Sequence, residues 1–106
     1  MNIAKLMHQA RALQEQARKA DEELAGLRIE GTAGGGAVTA VLDGKRNLLD
    51  LRIAPEALDP PDAEMLQDLI LSAVSDAGRR VDEEVQARMG ALAGGLGGIP
   101  GLPGPG

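Results

Sequence analysis

Lys5, Arg11, Arg18 and Lys19 recur along the first twenty residues with Glu15 as the one acid among them, so this stretch is locally positive in a chain of net charge −5. Advancing about 100° per residue from Leu6 places His8, Arg11, Arg18 and Lys19 opposite an apolar seam, with Lys5 at its margin. Ammonium and guanidinium groups along one side of a helix are suited to phosphate oxygens. Glu15 precedes Lys19 by four residues and offers it an internal ion pair. Arg79 and Arg80 make a second basic pair, and Arg88 flanks a narrower apolar row that its stem can cover. Any two-fold symmetry would present each of these patches twice.

Other chemistries find no support. His8 is the single histidine and there is no cysteine, so a metal site has no second nitrogen or sulfur ligand, and no thiol nucleophile exists. Ser72 and Ser75 lie in a helical pattern with no base beside them. The runs Asp21-Glu22-Glu23 and Asp82-Glu83-Glu84 point in diverging directions on a helix and read as solvated faces. Gly34-Gly35-Gly36 is followed by Ala37-Val38-Thr39, which begins a strand, so it is a turn and not a phosphate cradle. We therefore expect no cofactor, no small-molecule substrate and no enzymatic activity.

Residues 2 to 25 are predicted to be a helix capped by Asn2 and stopped at Gly26. Leu6, Ala10, Leu13, Ala17, Ala20, Leu24 and Leu27 follow at steps of four and three, the period of a coiled-coil seam. Leu27-Arg28-Ile29-Glu30, Val38 to Leu42 and Leu49 to Ile53 have strand patterns, with Asp43-Gly44 suggesting a two-residue type I′ hairpin turn and Pro55 a stop. Asp59-Pro60-Pro61-Asp62 opens a second helix with Asp59 as its cap. Its wide stripe, Met65, Leu66, Leu69, Ile70, Ala73, Val74 and Ala77, suits covering a sheet, and Gly78 marks a bend or close contact before the stripe narrows to Val81, Val85, Met89 and Leu92. Residues 94–106 hold seven Gly and three Pro, and are expected to be a disordered tail after a single domain at 1–93.

A core of 29 Leu, Ile, Val and Met plus 17 Ala, with no aromatic residue, is thin, so association should supply part of the burial. The missing aromatics also disfavour base-stacking readers of single strands. The lack of cysteine fits the cytoplasm, the N-terminus carries no secretory pattern, and no run is apolar enough for a bilayer.

The run Gly31-x-x-Gly34-x-Gly36-x-Val38, then Asp43-Gly44, Leu51-x-Ile53-x-Pro55, and Met65 to Ile70 leading to Ser75-Asp76-Ala77, resembles the YbaB/EbfC family of bacterial nucleoid-associated proteins over essentially the whole chain. The resemblance implies an α+β fold of order α-β-β-β-α, with a three-stranded antiparallel sheet and long projecting helices in a dimeric, tweezer-like assembly. It further implies double-stranded DNA as partner, in the cytoplasm at the nucleoid, with contacts on the first and last helices: Lys5, His8, Arg11, Arg18 and Lys19, then Arg79, Arg80 and Arg88. The absence of aromatic wedges and of a base-reading cluster points to phosphate contacts whose sequence specificity is low or comes from DNA shape. An alternative from the seam alone is a protein-interaction adaptor without DNA binding.

Overall fold

The computed structural model describes residues 2–95, with side chains through residue 91. Helix α1 spans Ile3–Ala25, strands β1, β2 and β3 span Ile29–Ala33, Val38–Leu42 and Leu48–Ile53, and helix α2 spans Ala63–Gly95, so the order is α-β-β-β-α as expected. The Asn2 side chain accepts from the Lys5 amide and caps α1, while Gly26 closes it in a right-handed conformation. The strands form one antiparallel sheet of order β1-β2-β3, with Gly31 opposite Ala40 and Ala40 opposite Leu51. Gly34, Gly35 and Gly36 all take positive φ, in a tight left-handed turn between β1 and β2.

Alternation sends Val38, Ala40 and Leu42 of β2 to one face, where they meet Ala73, Ala77 and Val81 of α2. Ile29, Ala33, Leu51, Ile53, Leu66, Leu69, Ile70, Val74 and Val85 pack around them. The opposite sheet face is polar around a buried Val41: Arg52 reaches both Asp50 beside it and Glu30 on β1. The core is thus one sheet face against one stripe of α2, and α1 contributes no buried residue to it. Leu6 and Leu13 of its seam are 50% and 66% exposed.

Two local expectations are corrected and a third is resolved. Asp43-Gly44 does not form a type I′ turn, because neither residue has positive φ; the Arg46 amide donates to the Asp43 carbonyl and Arg46 takes φ 66°. That is a three-residue loop closed by a left-handed residue, the next commonest way to join two antiparallel strands. The cap of α2 is Asp62, whose Oδ1 accepts from the Met65 amide at 3.0 Å, and not Asp59. Of the bend or close contact expected at Gly78 it is the contact that stands: helix α2 continues unbroken to Gly95, and the Gly78 carbonyl accepts from Arg46 at 3.4 Å. Residues 96–106, the rest of the expected tail, lie outside the described residues.

Candidate nucleic-acid interface

The seam fixes the rotation of α1, and the cations follow on its other side. Lys5, His8, Arg11 and Lys19 are exposed and, among the described residues, their side chains have no hydrogen-bond or ion-pair partner. Arg18 is different. It lies between Glu15 and Glu22, forking onto both carboxylates, and its guanidinium holds the Glu15 carboxyl below the usual range. The expected Glu15–Lys19 pair does not form, because the planar fork of Arg18 reaches two acids at once and takes Glu15 first. Lys19 is left open to solvent.

On α2 the balance of charge differs from site to site. Arg88 contacts Glu84 at 3.2 Å and Glu23 of α1 at 3.6 Å, so it ties the two helices together while its stem lines an apolar groove with Leu24, Val85 and Met89. Arg79 and Arg80 share a single acid: each places a guanidinium nitrogen 3.1 Å from Asp76, whose side chain is only 19% exposed. Asp76 also accepts from the Thr32 amide of β1 at 2.9 Å, and that bond, then Arg80, holds its carboxyl below the usual range. Two cations on one carboxylate leave a net positive cluster, whereas Arg18 and Arg88 each face two carboxylates. Arg79 is 74% and Arg80 56% exposed at the side chain, so both point outward from this anchor.

The sequence pattern missed Arg28. It is exposed just after α1, with no ion-pair partner among the described residues, and its place in the alternating run Leu27-Arg28-Ile29-Glu30 marked it only as an outward strand residue. Lys45 and Arg46 were also passed over; they pair with Asp21 and Asp82. Among the described residues no group of three His, Cys, Asp or Glu side chains stands ready for a metal ion, and no helix is long and apolar enough to cross a membrane.

The profile of the YbaB/EbfC DNA-binding family matches residues 1–96. The chain belongs to that family. A nucleoid-associated protein of Acetivibrio thermocellus is 50% identical over 101 residues, covering 95% of this chain and 89% of the relative. One from Chloroflexus aurantiacus is 48% identical over 99 residues, 93% of this chain and 99% of its own length. One from Rhodococcus erythropolis is 43% identical over 104 residues, 97% and 93% of the two chains. The crystal structure of an uncharacterized protein from Helicobacter pylori superposes with a TM-score of 0.71 over 88% of this chain and 98% of that one, at 22% identity, and so shares the fold. Membership in the YbaB/EbfC family places the chain in a DNA-binding family and not in an enzyme family.

Proposed function

We propose that this protein binds double-stranded DNA of the bacterial nucleoid as a homodimer, through phosphate contacts that carry little sequence information. The observation that carries this is the row Lys5, Arg11 and Lys19: exposed cations, without carboxylate partners among the described residues, along the free side of a helix that stands outside the core. Arg28 and the net-positive Arg79–Arg80 cluster add to it. Arg18 and Arg88 must give up carboxylates before meeting phosphate and contribute less. Each phosphate neutralised releases counterions, so affinity falls steeply with salt. Names of the relatives and DNA-binding family membership support the same conclusion. Homodimerisation is supported by the open Leu6–Leu13 seam, whose 3.5-residue period suits a second helix.

The test is fluorescence anisotropy with labelled duplexes of several sequences, at low and near-physiological salt. We expect similar affinities across sequences and a steep salt dependence, about 0.9 in log–log slope per phosphate neutralised. Replacing Lys5, Arg11, Lys19 and Arg28 by Gln should weaken binding to all duplexes alike and flatten the slope. A folded dimer that binds no duplex at low salt overturns the proposal in favour of an adaptor.

A further inference from the structure

Helix α1 is attached to its own protomer at one end. Among the described residues, every hydrogen bond and ion pair between α1 and the chain beyond Leu27 involves residues 21–24. The Gly44 amide donates to the Leu24 carbonyl at 2.8 Å, Lys45 Nζ lies 3.1 Å from Asp21, and Arg88 Nη1 lies 3.6 Å from Glu23. Two of these three come from the β2–β3 hairpin. The same hairpin grips the other helix, since Arg46 Nη2 donates to the Gly78 carbonyl at 3.4 Å and Arg46 Nε to Asp82 at 3.2 Å. It is also stiff: the buried Asp43 carboxylate accepts from the Lys45 amide at 2.8 Å and from the Asn47 amide and side chain at 2.9 Å each.

Gly44 is where this hairpin meets α1. A Cβ there would lie 2.7 Å from the Leu24 carbonyl oxygen and 2.9 Å from Leu24 Cα, so any side chain pushes the hairpin and the helix end apart. The Gly44 amide also makes the shorter of two bonds to that carbonyl, which accepts from the Leu27 amide at 3.2 Å. The exposed Lys45–Asp21 pair contributes little by itself. Close backbone approach at Gly44 is therefore the tightest contact between α1 and the hairpin.

We propose that the β2–β3 hairpin is the joint that sets the direction of α1, with Gly44 as its positioning residue, and thereby fixes where Lys5, Arg11 and Lys19 stand relative to the Arg79–Arg80 pair. The DNA consequence rests on the function proposed above; the joint itself does not. Leverage makes the joint matter. Lys5 is nineteen residues from Leu24, roughly 28 Å along the helix. A tilt of about 10° at the joint therefore carries Lys5 about 5 Å, more than the ~3.4 Å of axial rise per phosphate on one strand.

The absence of cysteine makes the test clean. Spin labels are placed through Gln9→Cys with Glu56→Cys, across the joint, and through Glu56→Cys with Glu83→Cys, between the turn that follows β3 and α2; labelled chain is diluted with unlabelled chain. Distances are read by double electron–electron resonance without DNA. Gly44→Ala is expected to shift or broaden the 9–56 distribution by several ångströms and leave 56–83 in place, with a several-fold loss of duplex affinity. An unchanged 9–56 distribution in folded Gly44→Ala protein overturns the proposal. Should that variant not fold, the parent chain tests the joint by amide exchange: the Gly44 amide, held by the Leu24 carbonyl, is expected to exchange far more slowly than the Gly35 and Gly36 amides, and exchange as fast as theirs overturns the joint. Because the distances need no DNA, a wild-type chain that fails to bind duplex sinks the function and leaves the joint standing. A displaced arm with unchanged affinity overturns its role in placing the cations.

Discussion

Gly31 and Asp76 fasten β1 to α2 at neighbouring points, by opposite means. At Gly31 the strand backbone comes so close to the helix that a Cβ would lie 2.1 Å from the Ala77 amide nitrogen and 2.6 Å from the Ala73 carbonyl oxygen. Backbone cannot rotate away as a side chain can. Gly31→Ala should therefore cost at least the ~1–3 kcal/mol typical of overpacking, enough to threaten a domain with so few buried side chains. Urea unfolding followed by far-UV circular dichroism, in a chain without aromatic fluorophores, should show a lower midpoint; an unchanged midpoint would mean that β1 slides to make room. Asp76 holds the same strand by charge, taking the Thr32 amide, and its carboxyl is depressed by that bond and by Arg80. A carboxylate whose folded pKa lies below its unfolded value of about 3.9 stabilises the fold above that value and loses the contribution as pH falls through the folded one. Asp76→Asn is thus expected to be less stable than the parent at pH 7, with the difference shrinking below about pH 4 as the parent's carboxyl takes up its proton. A difference independent of pH would show that shape, and not charge, matters at this position.

Elements were legible where the signal is local. The seam and Asn2 cap of α1, the alternation of β2 and β3, and the wide stripe of α2 are periodicities a sequence displays directly, and all three strands pair in the order their spacing implies. Their joins were harder. Asp43-Gly44 has the composition of a two-residue turn, yet the Asp43 carboxylate collects the Lys45 and Asn47 amides and draws out a longer loop. Asp59 and Asp62 are equal candidates for a cap by type, and only the path of the intervening chain selects Asp62. Which cations stand free was also hidden, because Arg18 outcompetes Lys19 for Glu15 through geometry and Arg88 finds Glu23 on a distant helix. Asp62→Ala tests the cap: losing the bond to the Met65 amide should cost about 0.5–2 kcal/mol. The loss should appear as faster amide exchange in the first turn of α2, with exchange near Ala73 and Ala77 slowed or hastened only by the global change. Uniform acceleration along the helix would instead place the cost in the core.

At the scale of the whole molecule, the chain is far more extended than its length requires. Its radius of gyration is 20.2 Å and its extents are 72 × 31 × 16 Å; a compact domain of this size would have a radius of gyration near 13 Å. The excess comes from helices that leave the sheet, and α1 does so with an apolar row facing solvent: Ile3, Leu6, Met7 and Leu13 are all exposed. A contiguous apolar row marks a surface for association, and a second α1 presenting the same row would cover it by symmetry. Leu13 sits near the middle, so Leu13→Asp would bury a carboxylate against its own copy across a two-fold axis. The expected outcome is a dimer for the parent and a monomer for Leu13→Asp at micromolar concentration, measured by light scattering with refractive-index detection. DNA binding should follow the assembly state. A monomer retains every cation of its own arm but loses the second, linked set, so its affinity should drop by more than any single phosphate contact accounts for, with roughly half the salt slope. If Leu13→Asp remains dimeric, the seam is not where the copies meet; if it becomes monomeric and binds duplex as tightly as the parent, one arm is sufficient and gripping from two sides is not how this protein holds DNA.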